Sequence, residues 1–127
     1  MKKTTIKGVN YYPHSNGGGL VAETATVSET AYVGPNAKVY DNAVVTGHAR
    51  VYDNAEVFGD AEVYDNAEVW GNARVSGRAE VFGNAQVFGN AKVCGNAEVF
   101  GNAEVSDNAI VCGNAEVSGK AIVTANT

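Results

Sequence analysis

The sequence has few of the large aliphatic side chains that usually fill a protein core. Leucine occurs once, at Leu20, methionine only at Met1, and isoleucine only at Ile6, Ile110 and Ile122. Valine and alanine supply most apolar positions instead, so the interior must be narrow enough for small side chains to fill it. With 127 residues, the chain has the length of one domain.

Long apolar segments and basic clusters are also missing. No run approaches the length of a membrane-spanning helix, and the N-terminus lacks the apolar middle of a secretory signal. The formal net charge of -5 argues against a nucleic-acid-binding surface, which would carry clustered Lys and Arg. We therefore expect a cytoplasmic protein that binds neither nucleic acid nor membranes.

What the sequence does contain is an uninterrupted six-residue repeat, and such repeats decide the fold before anything else. Every sixth residue from Val21 to Val123 is Val, and Ala stands four places after each Val from Ala25 to Ala121. The unit is V-x-[G/D]-N-A-x, with Gly or Asp third in 14 of the 17 hexads and Asn fourth in 11. The repeat contains no insertion and no change of register.

The residue types within each hexad predict a short strand followed by a corner. The segment A-x-V-x alternates inward apolar with variable residues, which is the period of a strand with one buried face. The next two residues, Gly or Asp and then Asn, tolerate left-handed backbone angles and can bend the chain. Hairpins would destroy the identical register of successive units, so the chain must coil.

Three strands and three corners close a turn of 18 residues, which stacks residues 18 apart at about 4.8 Å. The predicted fold is therefore all-β, a single parallel β-solenoid over residues 21–127 preceded by a short N-terminal segment, residues 1–20. We expect that segment to cover the first turn and to use the glycines at 17–19 to enter it. The C-terminal end, AIVTANT, has no such cover, and we expect Ile110 and Ile122 to be exposed near it.

The Val and Ala positions resemble those of hexapeptide-repeat, left-handed β-helix proteins, in which an aliphatic residue and a small residue four places later point inward. The segment NAEVFGNAQVFGNAKV is still more similar to the YdcK-type β-solenoid repeat of bacterial transferase-like proteins and phage-encoded proteins. The resemblance covers residues 21–122. It implies a left-handed, three-sided coil. It also implies two possibilities, an acyl-CoA-dependent transferase activity and a phage-derived origin.

The 18-residue period sorts the outward residues into columns that we treat as candidate interaction surfaces. The aromatic columns are Tyr52, Trp70 and Phe88; Tyr64, Phe82 and Phe100; and Tyr40 and Phe58. An acidic column contains Glu62, Glu80, Glu98 and Glu116.

Each column has two interpretations. Stacked aromatic rings stabilise neighbouring strands, and they can also form an apolar surface for a second copy or another protein. Stacked glutamates repel one another unless they are solvated or meet a cation or a basic partner.

The cysteines fall in one column, because Cys94 and Cys112 are 18 residues apart. Their Cα atoms should approach within the range of disulfides, but parallel Cβ vectors make the bond awkward. In a reducing compartment we expect free thiols.

No complete catalytic or metal site is visible in the sequence. His48, in VVTGHARV, is the only histidine within the repeats and the one weak candidate for a general base; its corner position is a sufficient structural explanation. The other histidine of the sequence, His14, lies in the N-terminal segment. Two histidines cannot supply the three distinct ligands of a γ-class carbonic anhydrase zinc site, so we expect no metal and no cofactor.

Two functions remain open. The first is a non-enzymatic rigid solenoid that forms homo-oligomers, through its aromatic faces or its C-terminal end, or binds a protein partner. The second is an acyltransferase-like protein, active or inactive, with His48 as the candidate base. The regularity of the repeat is also compatible with a consensus-designed solenoid.

Overall fold

The computed structural model describes residues 3–124 and contains only strands, corners and turns. The predicted boundaries at residues 1 and 127 lie outside the described residues, as does the end of the AIVTANT segment. The first three strands are β1 (Thr4–Ile6), β2 (Val9–Pro13) and β3 (Leu20–Ala22). Residues 3–124 include no helix, and so none that is long and apolar enough to cross a membrane.

The remaining strands are two residues long and occur once in every hexad. They are β4 (Thr26–Val27), β5 (Tyr32–Val33), β6 (Lys38–Val39), β7 (Val44–Val45), β8 (Arg50–Val51), β9 (Glu56–Val57), β10 (Glu62–Val63), β11 (Glu68–Val69), β12 (Arg74–Val75), β13 (Glu80–Val81), β14 (Gln86–Val87), β15 (Lys92–Val93), β16 (Glu98–Val99), β17 (Glu104–Val105), β18 (Ile110–Val111), β19 (Glu116–Val117) and β20 (Ile122–Val123).

These strands form three parallel sheets, one on each face of the coil. Sheet I has the order β1-β2-β3-β6-β9-β12-β15-β18, sheet II runs from β4 to β19, and sheet III runs from β5 to β20. From β3, β4 and β5 onward, each sheet advances three strands at a time. Each strand of the coil pairs with the strand 18 residues later, so that Val63 is in register with Val81 and Val81 with Val99. The predicted parallel β-solenoid with 18-residue turns is therefore confirmed, and its three sheets are consistent with a left-handed, three-sided coil.

The core consists of the repeated Val and Ala side chains. From Ala31 to Ala109, every one of these positions is at most 1 % exposed. Burial decreases at both ends, because Val21 and Val27 in the first turn and Val117 and Val123 in the last are only partly buried. Each turn therefore depends on its neighbours for a closed core, as expected of a repeat protein.

The corners use left-handed backbone angles at the third place of the hexad. The Gly and Asp residues there have φ between 57° and 71°. Glycine adopts this conformation without strain, and Asp is among the few other residues that tolerate it. Asp53 also accepts a hydrogen bond through Oδ2 from the backbone N–H of Gly71 in the next turn, at 3.2 Å. The corner residues therefore link consecutive turns as well as bending the chain.

The N-terminal segment covers the first-turn edges of two of the three sheets. The hairpin of β1 and β2 adds antiparallel strands to the edge of β3, so that it continues sheet I. The loop that follows crosses the edge of β5, where Val33 donates its N–H to the Asn16 carbonyl at 3.0 Å. Tyr12 remains 39 % exposed. A cavity of about 310 Å³ lies beside the first turn and is lined by Val21, Val27 and other residues.

The expectation of free cysteine thiols is wrong for this structure. Cys94 and Cys112 form a disulfide between adjacent turns of sheet I, with their Cα atoms 4.6 Å apart. That separation falls near the lower end of the range of about 4.4–6.8 Å that disulfides use. Stacking at strand spacing therefore allows the bond that we considered awkward.

Candidate interaction surfaces

The three aromatic columns form continuous stacks on the three faces of the coil. In sheet III, Trp70 lies between Tyr52 and Phe88, with ring centroids 5.5 Å and 4.4 Å away and planes within 4° of parallel. The stacks in the other sheets are Tyr64–Phe82–Phe100, at 4.9 Å per step, and Tyr40–Phe58, at 4.8 Å. The columns predicted from the 18-residue period are thus present as direct ring contacts.

The rings cover one another, and this reduces the apolar surface that they offer to a partner. All eight predicted aromatic residues are half-buried, and none is among the exposed large hydrophobic residues. In a parallel stack each inner ring presents its edge to solvent while both of its faces contact neighbours, an arrangement that stabilises adjacent strands. The structure therefore establishes the stacks as inter-turn contacts.

Tyrosine hydroxyls connect the aromatic columns to the glutamates of the next turn. Tyr64 donates its hydroxyl hydrogen to Oε1 of Glu80 at 3.1 Å, and Tyr40 donates to Glu56 at 2.9 Å. Tyr52 donates to Glu68 in the same way, at 3.2 Å. Each pair is 16 residues apart, which places the carboxylate one turn along and one column across. This diagonal contact does not follow from sorting residues by a period of 18 alone.

These contacts change the ionisation of the tyrosines. Burial, followed by the hydrogen bond to Glu80, raises the pKa of Tyr64 from 10.0 to about 12. Burial is also the largest cause of the raised pKa values of Tyr40 and Tyr52, with Glu56 and Glu68 adding to the effect. Both causes disfavour the phenolate, which would be less hydrated than in water and would lie beside a carboxylate.

The predicted acidic column lies on sheet II. Glu62, Glu80, Glu98 and Glu116 stand directly in register on consecutive strands. Only Glu80 among them accepts a hydrogen bond from a described side chain, the Tyr64 hydroxyl. Across residues 3–124, no group of three or more His, Cys, Asp or Glu side chains is placed to hold a metal ion. The column is therefore a row of like charges at strand spacing.

The C-terminal turn exposes more of its apolar surface than the aromatic columns do. Ile110 is 47 % exposed and Ile122 is 66 % exposed, the two highest values among the exposed large hydrophobic residues described. Both values agree with the expectation from the sequence. Within the described part of the chain, β18, β19 and β20 are also the last strands of their sheets.

The weak catalytic candidate, His48, lies at an exposed corner between sheets II and III. Its backbone N–H donates to the carbonyl of Asp65 at 2.9 Å, which is the regular inter-turn bond of a corner residue. Its side chain lines a cavity together with Arg50, Tyr32 and Tyr52. Sequence reasoning did not find this cavity, because part of its wall, at Asn16, comes from the N-terminal segment, which does not follow the repeat.

Comparison of the chain with protein-family models, with curated proteins and with solved structures finds no match.

Proposed function

We propose that this protein is a non-enzymatic, rigid solenoid that associates with a second copy of itself through its C-terminal turn. The observation that carries the proposal is the exposure of Ile110 and Ile122, at 47 % and 66 %, in the last described strands of sheets I and III. An edge strand presents backbone groups that can pair with another strand, and exposed apolar side chains next to it add area to bury.

A tail-to-tail arrangement is favoured over head-to-tail stacking by the N-terminal segment. The β1–β2 hairpin and the loop at residues 14–19 already pair with the edges of sheets I and III in the first turn. Within the described chain, the first-turn edge of β4 in sheet II has neither that hairpin nor that loop against it. Two C-terminal turns therefore offer one another more free strand edge than a C-terminal turn and an N-terminal turn do.

The aromatic faces support the proposal less directly, because their rings are half-buried and stacked on one another. We propose that they stiffen the coil, and that the acidic column keeps lateral association weak through like-charge repulsion. The finer assignment to the hexapeptide-repeat proteins, and to the YdcK-type repeat among them, belongs to the same proposal. It is supported by the inward Val and Ala positions of each hexad.

Sedimentation velocity at micromolar concentrations tests this function. We expect the wild-type chain to sediment as a dimer and the double variant Ile110→Lys, Ile122→Lys to sediment as a monomer with unchanged far-ultraviolet circular dichroism. Tyr12→Lys is the matched control, since it adds one charge at an exposed position at the other end, and it should remain dimeric.

Two results would overturn the proposed association. The wild-type chain could be monomeric, or the Trp70→Ala, Phe82→Ala variant could lose the dimer while the Ile110 and Ile122 variant keeps it. Calorimetric titration with acetyl-CoA addresses the acyltransferase alternative: binding that requires the oligomer and is lost in His48→Ala would favour the enzyme.

A further inference from the structure

The chain contains an open cavity of about 500 Å³ on sheet III, near the N-terminal end. It is lined by Asn16, Thr30, Tyr32, His48, Arg50 and Tyr52. Its volume falls within the range of about 300–1,000 Å³ that is usual for small-molecule sites. None of the interactions proposed for the C-terminal turn involves this region, which lies four turns away in the chain.

A local departure from the aromatic column creates the cavity. Gly34 lies 18 residues before Tyr52, where the next aromatic residue of the column would stand. It has no side chain, and the Tyr32 ring lies close to the position that a side chain there would take. Tyr32 meets Tyr52 edge to face, with centroids 6.5 Å apart and planes at 67°. The parallel stack therefore ends at Tyr52, where the Tyr32 ring meets it at an angle, and both rings line the cavity.

The N-terminal loop fixes the opposite wall. The side chains of His14 and Asn16 both bond the carbonyl oxygen of Ala31, at 2.9 Å and 3.2 Å, while the Asn16 carbonyl accepts the N–H of Val33. A Cβ at Gly17 would overlap the carbonyl of Val33, so the loop can lie this close only with glycine there. The wall is held by hydrogen bonds before any ligand arrives, which lowers the cost of binding.

The charge of the lining is opposite to that of the protein. The chain has a net charge of -5, yet the lining contains Arg50 and His48 and no carboxylate. The only ion pair formed within residues 3–124 joins Arg74 to Glu56, so the Arg50 guanidinium has no carboxylate partner within that part of the chain. The carboxylate nearest in register, Glu68, accepts the Tyr52 hydroxyl.

Two of the side chains that line the cavity keep hydrogen-bond donors free for a ligand. Thr30 and Asn16 already donate to the carbonyls of Gly47 and Ala31. The guanidinium of Arg50 and the ring of His48 are left without a side-chain hydrogen bond to a described residue. A guanidinium binds carboxylate and phosphate oxygens with two parallel bonds, and an aromatic face beside it accommodates a flat apolar body.

We propose that this cavity binds a small organic anion, with its carboxylate or phosphate against Arg50 and His48 and its body against the rings of Tyr32 and Tyr52. The site combines a cation without a partner, two aromatic walls and a rigid loop, in a protein whose overall charge repels anions. It requires no oligomer and no catalytic step, and it stands independently of the association at the C-terminal turn.

The test is a calorimetric titration of the full chain with phenyl phosphate, inorganic phosphate and benzyl alcohol. We expect phenyl phosphate to bind with a Kd at or below about 1 mM and both partial probes to bind at least about tenfold more weakly. Arg50→Gln should weaken phenyl phosphate by about tenfold or more, and Tyr32→Leu should remove its advantage over inorganic phosphate. Arg78→Gln, an exposed arginine outside the cavity, removes the same charge and should leave binding unchanged.

Several results would overturn the site. Phenyl phosphate could fail to saturate, Arg78→Gln could weaken it as much as Arg50→Gln, or benzyl alcohol could bind equally well. Thermal unfolding of each variant verifies that the coil is intact. Binding should persist in the Ile110→Lys, Ile122→Lys variant, so failure of the proposed dimer and failure of this site give different results.

Discussion

Substitution of Gly77 by Ala tests the stacked corners that hold the solenoid together. Gly77 has φ of 65°, and a Cβ there would lie 2.8 Å from the backbone nitrogen of Gly95 in the next turn. A left-handed Ala costs about 1–2 kcal/mol, and crowding a packed contact costs about 1–3 kcal/mol more. Restriction of the unfolded chain offsets up to about 1 kcal/mol. We expect a net loss of about 1–5 kcal/mol in the free energy of unfolding.

The same site provides its own control, Gly77→Asp. Asp tolerates the left-handed angle, and at Asp41 its carboxylate accepts the N–H of Gly59 in the next turn at 3.1 Å. We therefore expect Asp to be less destabilising than Ala, although it is larger. A second control is Gly113→Ala, where φ is 71° but no atom lies within 4 Å of the added Cβ.

Urea unfolding followed by circular dichroism measures both Gly77 variants. Gly113 is in the last full turn, and the amides of the preceding turn donate to the carbonyls of that turn, as Asn96 does to Gly113. Amide hydrogen exchange over residues 92–109 therefore measures the local effect of Gly113→Ala. The reasoning fails if Gly77→Asp is at least as destabilising as Gly77→Ala. It also fails if Gly77→Ala costs no more than Gly113→Ala, because the contact between turns would then contribute nothing.

Three further predictions concern the disulfide, the acidic column and the tyrosines. Reduction of the Cys94–Cys112 disulfide should lower the free energy of unfolding by about 3 kcal/mol in urea titrations, because the bond closes a loop with a sequence separation of 18. Equal unfolding midpoints with and without dithiothreitol would contradict this. Glu98→Gln removes a like charge between two in-register glutamates and should raise the free energy of unfolding by about 0.2–1 kcal/mol. Sodium chloride should reduce this gain, because salt screens the repulsion that the substitution removes. A gain insensitive to salt would exclude repulsion as its cause. The pKa of Tyr64 is raised from 10.0 to about 12, so its contribution to stability is complete below pH 10 and is lost as the pH rises from 10 through about 12. Absorbance at 295 nm follows this ionisation, which Tyr64→Phe should remove and Glu80→Gln should shift to lower pH; an unchanged titration in both variants would refute the assignment.

The candidate surfaces could be predicted from the sequence only in part. Sorting residues by 18 placed Trp70 between Tyr52 and Phe88 correctly, because an uninterrupted repeat converts sequence separation directly into spatial position. The period did not reveal how exposed the rings are, since exposure depends on how closely they stack. It also missed the Tyr64–Glu80 hydrogen bond, because that contact depends on the side-chain direction across two columns.

The disulfide shows a different limit of sequence reasoning. The separation of Cys94 and Cys112 brought them into one column, but their pairing was judged from compartment and from Cβ direction. The structure gives a Cα separation of 4.6 Å, and this small distance brings the two sulfur atoms together. The predicted spacing was therefore correct, and the error lay in the weight given to the Cβ direction and the compartment.

The sequence by itself determined the coil, because Val and Ala recurring without a slip have only one way to bury every inward side chain in the same register. Tertiary structure decided what happens where the repeat is broken or ends. Whether the N-terminal loop lies against Ala31 and Val33, and whether Tyr32 turns into the space beside Gly34, depends on contacts between residues that share no period. The cavity around Arg50 exists for that reason, since it forms where a regular coil meets a segment with no repeat to place it.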